Sequence, residues 1–471
     1  MRTYIKDLKN KIDEEVTIAG WVNVRRDHGK LIFIDLRDRT GLVQMVALPN
    51  HAEASEMAGK LRSEWVIEVK GKVNKRPDNM VKEGELNGEL EIEILEIKIL
   101  NEAETPPFDI LSDGKELGEE NRLKYRYLDL RRPRMTKNIK IRGKIVKFIR
   151  DELEKQDFTE IETSILSKST PEGARDFVVP SRVYPGSFYA LPQAPQQYKQ
   201  LLMMGGFEKY FQIARCFRDE DTRSDRQPEF TQMDLEMSFV TQEEIMKLNE
   251  ELLIRIVEKN FPKKTIQEKP FPRISYKEAM EKYGTDRPDM RKDKEDLNLL
   301  AFCWVVDFPF FEKTKDSDNP QAEGEWTFTH NPFSAPKDEY MDDLMNKNNI
   351  GGIIASQYDV ALNGFEVGGG SIRNHKLDVQ RQVLEVLGYS KEEQEENFGY
   401  FLEAMKYGTP PHGGIAWGLD RLVAILLGES SIREVIPFAK TGEGRDLMMD
   451  SPSKILDKQL NELKIKFDKL N

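Results

Sequence analysis

The chain has 471 residues, with 71 Lys and Arg against 83 Asp and Glu, which gives a formal net charge of −12. This length predicts about two to four domains with a large core, and the acidic balance excludes a protein that coats nucleic acid through its overall charge. The only cysteines, Cys216 and Cys303, exclude a disulfide framework or zinc site, and no apolar run could cross a bilayer, so we expect a cytoplasmic protein without a membrane partner.

The first hundred residues alternate β-rich runs with turns. A helix-like segment, "HAEASEMAGKLRSE" (51–64), follows the third run. Five strands with a helix in that place predict an OB-like barrel, which can present one face to single-stranded nucleic acid. The five runs are "EVTIAGWVNV", "KLIFIDLRD", "GLVQMVAL", "WVIEVKGKVNK" and "GELEIEILEIKIL".

Arg26, Phe33 and Gln44 are the candidate nucleic-acid contacts of this barrel. They would supply a phosphate or base-edge donor, a stacking ring and an amide. The alternative is that Phe33 belongs to the core while Arg26 and Gln44 are solvated, and the residues alone do not decide between the two.

A charged, turn-rich segment separates the barrel from the rest of the chain. We therefore predict an OB-fold domain over residues 1–102, a hinge over 103–135 and a second domain over 136–471. The second domain opens with "TKNIKIRGKIVKFIRDELEKQ", where Thr136 is expected to cap a helix whose apolar residues recur every four positions. Such a helix packs against a core or a partner subunit.

The runs "QIARCFRDE" and "EFTQMDLEM" alternate with a period of two, which predicts an antiparallel strand pair joined by the loop "DTRSDRQ". The ordinary interpretation is a sheet with one wet side. The mixture of arginine, carboxylates, an amide and a ring on that side also suits a charged, aromatic ligand. Met233, Leu235 and Met237 share one face of the second strand, Phe230, Gln232, Asp234 and Glu236 share the other, and Arg218 and Glu220 fall together on the first strand.

The segment "SQYDVALNGFEVGGGSIR" contains Asn-Gly between two β-like runs, which predicts a hairpin. In that register Ala361 lies opposite Glu366, and Asp359 lies on the same face as Glu366. Two carboxylates placed in this way can share a Mg²⁺ ion that also takes phosphate oxygens. The glycine run after them admits a ligand close to the backbone, and Arg373 follows as a fork for a carboxylate.

The segment "YGTPPHGGIAWGLDRLVAILLGES" predicts a glycine-rich loop that enters a helix from about Leu419 to Leu427, ending at Gly428. Arg421 falls in the first turn, where a helix already favours anions, so its guanidinium could hold a terminal phosphate. The plainer interpretation is a helix cap with a surface charge.

These motifs resemble a known family. "FRDE" and "GLDRL" resemble the second and third signature motifs of class II aminoacyl-tRNA synthetases, and "LKYRYLDLRRP", "TPEGARDF", "ALPQAPQQYKQLLM" and "FEVGGGSIR" are similar to the bacterial-type aspartyl-tRNA synthetases. The resemblance implies an α+β homodimer with an OB-fold that reads the anticodon of tRNA(Asp). It also implies a hinge and an antiparallel catalytic sheet of six or seven strands flanked by helices.

The resemblance further implies that ATP activates L-aspartate to aspartyl-AMP, which is then transferred to the 3′ end of tRNA. Arg218 would hold the α-phosphate, Glu220 the adenine edge, and Phe230 would stack on adenine. Asp359 and Glu366 would bind Mg²⁺, and Arg218, Arg421 and Glu366 would serve catalysis. Gln227, Gly418 and Arg421 would also contact ATP.

The aspartate site follows from the same resemblance. Arg373 and Lys199 would pair with the side-chain carboxylate, and Asp234 and Gln196 would fix the amino acid. Glu172, in "STPEGARD", would close over the ammonium group. His330 matches a further substrate histidine.

Several positions depart from the family pattern. Ser164 stands where the first motif has proline and Asp157 where glycine is usual, which bears on the dimer interface. Ala194 replaces a serine and Asn331 a second histidine beside the aspartate site. The large domain that bacterial members insert is missing near residues 285–303.

His28, in "VRRDHGKLIF", lies in the loop before the strand of Phe33. An isolated histidine there is most often simply solvated, but a histidine at the matching place resembles family members that charge both tRNA(Asp) and tRNA(Asn). Such an enzyme needs a partner amidotransferase. Two further hypotheses are a paralogue that makes asparagine from aspartate and ammonia, which the barrel argues against, and a non-catalytic RNA-binding paralogue, which the intact motifs argue against.

Overall fold

The computed structural model describes residues 1–84, 87–170, 172–316 and 324–467. The chain divides into two compact units, Met1–Ile110 and Leu111–Asn471. Within the described ranges, no helix combines the length and the apolarity needed to cross a membrane. Both cysteines are buried thiols.

The first unit is a closed five-stranded barrel with the strand order β1-β2-β3-β5-β4, which confirms the predicted OB-like fold. Alternate residues of each strand point inward, so that Val16, Ile18 and Val22 of the first strand lie in the core. The helix after the third strand packs against the barrel, where Ala54 and Ala58 are buried. The elements are β1 (Glu15–His28), β2 (Leu31–Asp38), β3 (Gly41–Ala47), α1 (Ala52–Lys60), β4 (Val66–Lys75) and β5 (Leu90–Asn101).

The second unit is built on an eight-stranded sheet flanked by helices, in the order β12-β14-β17-β18-β19-β10-β9-β6. The central strands pair antiparallel, as expected, while the two edge strands pair parallel. The two edge strands, β6 and β12, are only two and three residues long. Without them the sheet has six strands, as expected.

The remaining strands and longer helices all belong to the second unit. The strands are β6 (Thr159–Glu160), β7 (Val178–Pro180), β8 (Phe188–Ala190), β9 (Lys209–Phe217), β10 (Glu229–Ser238), β11 (Thr265–Ile266), β12 (Arg273–Ser275), β13 (Leu299–Leu300), β14 (Phe302–Val306), β15 (Phe311–Lys313), β16 (Trp326–Phe328), β17 (Gln357–Leu362), β18 (Phe365–Ile372) and β19 (His412–Gly418). The helices are α2 (Glu119–Lys124), α3 (Arg126–Asp129), α4 (Pro133–Glu154), α5 (Gln196–Met204), α6 (Gln242–Asn260), α7 (Tyr276–Tyr283), α8 (Met341–Met345), α9 (Leu377–Val386), α10 (Lys391–Met405), α11 (Leu419–Leu427) and α12 (Asp457–Leu463). Short 3₁₀ helices in the two units cover Ile5–Asn10, Asp78–Met80, Thr314–Asp316, Asp338–Tyr340, Ile350–Gly352 and Ile432–Glu434.

Helix α4 begins at Pro133, so the predicted start at Thr136 is wrong. Proline suits the first helical position, since its fixed φ matches the helix and its missing N–H would have no partner there. The predicted apolar face is present, with Ile145, Ile149 and Leu153 buried in the core.

Strands β9 and β10 form the predicted antiparallel pair, and Met233 and Leu235 lie in the core. The opposite face of β10 is buried as well, so the alternative of a wet side is wrong: Asp234 and Glu236 are both 0% exposed. Strand β9 ends at Phe217, because Pro228 opposite Arg218 accepts a hydrogen bond but has no N–H to return one. Arg218 and Glu220 therefore lie in the connection rather than on the strand.

The β17–β18 hairpin has the predicted turn, with φ of +52° at Asn363 and +89° at Gly364. Ala361 lies opposite Glu366, as the sequence predicted. Beyond that pair the register shifts, because Val367 is an extra, unpaired residue on β18, and Asp359 lies opposite Gly369. This bulge places Glu366 on the same face of the strand as Gly369 and Ser371.

Candidate active site and nucleic-acid interface

A cavity of about 360 Å³ opens in the second unit over β10, β18 and β19. The start of α11 and the β9–β10 connection complete its walls. It gathers residues that are widely separated in the sequence. The predicted residues that line it are Glu172, Gln196, Lys199, Arg218, Glu220, Gln227, Phe230, Asp234, His330, Glu366, Arg373, Gly418 and Arg421.

Asp359 and Glu366 converge over Gly369. A Cβ atom built on Gly369 would lie 2.9 Å from Asp359 Oδ1, 3.4 Å from Glu366 Oε1 and 3.3 Å from His330 Cε1, so a side chain at this position would fill the space between them. Burial and the neighbouring Glu366 carboxylate raise the pKa of Asp359 well above its usual value. Two carboxylates held this close favour a cation between them.

Within the part of the chain that the structure describes, no group of three or more histidine, cysteine, aspartate or glutamate side chains is arranged to hold a metal ion. Two carboxylates are still a suitable set for Mg²⁺, which keeps several waters and binds through one or two carboxylates together with substrate phosphates.

Four buried charges form a cluster at the floor of the cavity, where Lys199, Asp234 and Arg373 line it and Glu236 lies behind them. Lys199 Nζ lies 2.7 Å from Asp234 Oδ1 and 3.1 Å from Glu236 Oε2. Arg373 donates from Nε and Nη2 to the two Glu236 oxygens at 3.0 and 3.2 Å. Burial raises the pKa of Glu236, but Arg373 and Lys199 outweigh it and lower the pKa to about 2. Burial also raises the pKa of Asp234, although Lys199 opposes that shift.

Arg421 lies in the first turn of α11, which begins and ends as predicted. Its Nη1 donates to the backbone oxygen of Glu366 at 2.6 Å, and its Nη2 lies 3.1 Å from Asp225 Oδ2 in the β9–β10 connection. The next residue, Arg226, lies 3.4 Å from Glu220 Oε2. Two adjacent residues of this connection thus pair with two predicted ATP contacts.

Arg218 and Phe230 contact each other at the mouth of the cavity. The Arg218 guanidinium carbon lies 5.2 Å from the centroid of the Phe230 ring, within the range of a cation–π contact. Gln227 Oε1 accepts a hydrogen bond from the backbone N–H of Lys440 at 2.8 Å. All three residues line the cavity.

Glu172 and His330 also line the cavity and have shifted pKa values. Burial raises the pKa of Glu172 to about 7, although Thr170 donates a hydrogen bond to it. Burial and then the positive charges of Arg373, Lys199 and Arg218 lower the pKa of His330 to about 3, so this ring is neutral at pH 7.

The outer face of the barrel holds the nucleic-acid candidates. Arg26 on β1 lies opposite Phe33 on β2, and both are half-buried; Phe33 lies outside the barrel core, so the alternative that it is a core residue is wrong. Arg26 binds Asp35 through Nη1 and Nη2 at 2.7 and 2.8 Å, and Gln44 donates to Glu91 at 2.7 Å.

His28 is the last residue of β1 rather than a loop residue, and it is paired with Leu31. Its ring packs edge-on against Phe33 with the centroids 5.6 Å apart.

The structure shows the surroundings of three residues that depart from the family pattern, Ala194, Asn331 and Asp157. Ala194 and Asn331 both line the cavity, and Asn331 Oδ1 accepts from the backbone N–H of Phe333 at 2.9 Å. Asp157 has a φ of +63°, the left-handed conformation that glycine adopts most easily.

Sequence reasoning missed Glu236 and Asp225 as parts of the site. Glu236 was on the polar face of β10, which was a usable signal, whereas nothing in the sequence distinguished Asp225 within its charged loop.

Two family models match the chain. The model for tRNA synthetases class II (D, K and N) matches residues 118–442, and the model for the OB-fold nucleic acid binding domain matches residues 16–100.

Curated relatives align with nearly the whole chain. An aspartate--tRNA(Asp/Asn) ligase of Thermoanaerobacter sp. (strain X514) is 41% identical over 581 positions that cover 97% of this chain and 96% of the relative. An aspartate--tRNA ligase of Listeria welshimeri is 40% identical, with 97% of each chain covered. The 581 aligned positions exceed the 471 residues of this chain by 110, so the first relative has at least that many residues without a counterpart in this chain.

Solved structures share the same architecture. Asparaginyl-tRNA synthetase from Pyrococcus horikoshii, complexed with asparaginyl-adenylate, has a TM-score of 0.74 at 25% identity and covers 94% of this chain and 98% of its own. Aspartyl tRNA synthetase from Entamoeba histolytica has a TM-score of 0.70 at 22% identity, with 93% and 91% covered. The barrel, the sheet and the matches together show that this chain is an enzyme and belongs to the class II tRNA synthetases of the D, K and N group.

Proposed function

We propose that the enzyme is an aspartate–tRNA ligase, which activates L-aspartate with ATP and transfers it to the 3′ end of tRNA(Asp). The observation that carries the proposal is the pair of buried cations, Lys199 and Arg373, on the floor of the cavity. Both cations are also paired with Asp234 or Glu236, so the N–H groups that these pairs leave would hold an amino acid with a negatively charged side chain. The curated relatives at about 40% identity support the same substrate.

The proposed chemistry needs no protein nucleophile. The α-carboxylate of aspartate attacks the α-phosphorus of ATP in line, which forms aspartyl-AMP and releases pyrophosphate. Arg218 contacts the α-phosphate and Arg421 the terminal phosphate, where both stabilise developing negative charge. Phe230 and Glu220 hold adenine, with Gln227 and Gly418 as further contacts. A ribose hydroxyl of the terminal tRNA nucleotide then attacks the adenylate and AMP leaves.

Asp359 and Glu366 would hold Mg²⁺, since their carboxylates converge over Gly369 beside the cavity. When bound, the ion would neutralise phosphate charge. At the amino-acid end, Asp234 and Gln196 help to fix aspartate, Glu172 closes over its ammonium group, and the neutral His330 contacts the substrate.

The test of this function is pyrophosphate exchange with a panel of amino acids, followed by charging of purified tRNAs. We expect exchange with aspartate and charging of tRNA(Asp). Release of free asparagine from aspartate, ATP and ammonia without tRNA would indicate the asparagine-forming paralogue instead. No exchange with any amino acid would indicate a non-catalytic RNA-binding protein.

Aspartate binding should depend on pH through Glu172. Its pKa of about 7 means that much of the free enzyme carries a proton there at neutral pH. A bound ammonium favours the carboxylate, so binding releases this proton, and the KM for aspartate should rise by up to about tenfold per pH unit below pH 6 and level off above pH 8. KM measured by exchange from pH 5.5 to 8.5 checks this. Glu172→Gln should flatten the profile, and an unchanged profile would exclude Glu172.

The barrel would bind the anticodon through Arg26, Phe33 and Gln44, which share its outer face. The anticodons of tRNA(Asp) and tRNA(Asn) differ at one base, so discrimination rests on few contacts. We infer dual specificity for both tRNAs from His28, whose ring packs against Phe33 and can stack on or hydrogen-bond a base. The product Asp-tRNA(Asn) would then require a partner amidotransferase.

His28→Leu should make the enzyme more selective for tRNA(Asp), with a gain of about tenfold in the ratio of charging efficiencies. Side-by-side aspartylation of purified tRNA(Asp) and tRNA(Asn) by both proteins measures that ratio. Wild-type enzyme that charges tRNA(Asp) alone would refute dual specificity. A variant that is no more selective than the wild-type enzyme would show that His28 does not control tRNA specificity. Lys30→Leu, a change at an exposed neighbour, is the control.

A homodimer is proposed from the segment that resembles the first signature motif. Ile165 and Leu166 follow Ser164 and are 39% and 54% exposed, which leaves an apolar surface for a second copy. Light scattering should give the mass of two chains, and Leu166→Lys should shift it toward one.

A further inference from the structure

Glu236 has no place in the chemistry described so far. It is 0% exposed, lies behind the cavity wall and yet contacts both cations proposed to bind the aspartate side chain. A buried carboxylate is costly unless it is paired, so its two ion pairs account for its stability but leave open what the residue does for the site.

The contacts of Arg373 show how Glu236 acts on the cavity. Nε and one Nη2 hydrogen bind Glu236, the other Nη2 hydrogen points to the Gly414 oxygen at 3.4 Å, and one Nη1 hydrogen binds Ser371 Oγ at 2.6 Å. Among the described residues, the second Nη1 hydrogen is left for a ligand. The guanidinium is therefore fixed, and the expected two-point fork of Arg373 is directed at Glu236.

Strand β19 leaves room for this carboxylate. A Cβ atom on Gly414 would lie 2.1 Å from Glu236 Oε2 and 2.1 Å from the Leu235 oxygen, closer than any real contact. Gly414, in "PPHGGIAWG", thus provides the space in which Glu236 meets Arg373. This observation is independent of the ion pairs and points to the same residue.

The charges of the cluster decide what Glu236 contributes. Lys199 and Arg373 are balanced by Asp234 and Glu236, so the cluster as a whole is neutral rather than strongly positive. A neutral cluster recognises a carboxylate by the direction of its N–H groups and not by bulk attraction. Recognition then depends on whatever fixes those directions.

We propose that Glu236 is a positioning residue that orients Arg373 and Lys199 toward the side-chain carboxylate of the amino acid. The proposal rests on the proposed aspartate activation. It predicts that removing the Glu236 charge weakens aspartate binding, even though the cluster becomes more positive. A role limited to charge balance predicts the opposite, since added positive charge should lower the KM for any dicarboxylate.

The test is pyrophosphate exchange with Glu236→Gln, with the KM for aspartate and for ATP measured separately. We expect the KM for aspartate to rise by about 20-fold or more while that for ATP stays within about twofold. A lower or unchanged KM for aspartate, or an equal rise for ATP, would overturn the proposal. Wild-type enzyme that shows no exchange with aspartate would instead overturn the proposed function.

A second pair of variants decides the matter if Glu236→Gln fails to fold. Ser371 and Ser334 share an Oγ–Oγ hydrogen bond of 2.8 Å. The Ser371 hydroxyl also binds the Arg373 guanidinium, whereas Ser334 meets Arg373 as its partner in a backbone β-bridge, which does not involve the serine side chain. Ser371→Ala should raise the KM for aspartate by about three- to tenfold, whereas Ser334→Ala should leave it within about twofold. Equal effects of the two serine changes would show that the orientation of Arg373 does not control aspartate binding. Thermal unfolding of each variant verifies that it is folded.

Discussion

Replacing Arg373 with lysine should lower the efficiency of aspartate activation by about 100-fold or more. Lysine keeps the charge but has one ammonium group, so it cannot bind Glu236 at two points, Ser371 and a ligand in the same geometry. Truncating one partner of a buried charge pair costs roughly 2 to 5 kcal/mol, which is the source of the expected loss.

Aspartate-dependent pyrophosphate exchange measures the effect. Arg215→Lys is the matched control, because Arg215 lies on β9 of the same sheet with 46% of its side chain exposed and pairs with Glu229 outside the cavity. Near-normal exchange by Arg373→Lys would show that Arg373 does not read the substrate. A loss that appears only through unfolding would be visible as a lower melting temperature.

The change Glu366→Gln should lower adenylation by about 10- to 100-fold and raise the Mg²⁺ concentration needed for half-maximal rate. The amide removes one of the two carboxylate charges that converge over Gly369. It leaves the hydrogen bond to Arg421 in place, since Arg421 binds the backbone oxygen of Glu366 and not its side chain.

Exchange at a series of Mg²⁺ concentrations checks this prediction. Binding of an anticodon stem-loop should stay unchanged, because the barrel is a separate compact unit. Glu251→Gln, on the exposed side of α6, controls for loss of a carboxylate in general. An unaltered Mg²⁺ requirement would show that Glu366 is not a ligand of the metal ion.

Local features were the ones that the sequence predicted well. Strand β10, the Asn363-Gly364 turn and the bounds of α11 all depend on neighbouring residues, and the structure has them as expected. The N-cap of α4 was misplaced by four residues, at Thr136 instead of Arg132, because Pro133 is a stronger helix signal than Thr136.

Contacts between residues on distant strands could not be predicted from the sequence. Glu236 and Arg373 are 137 residues apart, and only the placement of β10, β18 and β19 side by side brings them together. The same holds for Arg421 and Asp225, which lie 196 residues apart. Periodicity can assign a side chain to a face, but it cannot say which strand will be the neighbour.

The unpaired Val367 in β18 also limits how this segment can change in length. Glu366 and Arg373 are an odd number of residues apart, and in a regular strand such residues point to opposite sides. The extra residue corrects this parity, so the carboxylate and the guanidinium face the same cavity. Losing one residue between them would turn one of the two groups away while leaving both in the sequence. A single deletion or insertion in this stretch would therefore separate the nucleotide end of the site from the amino-acid end.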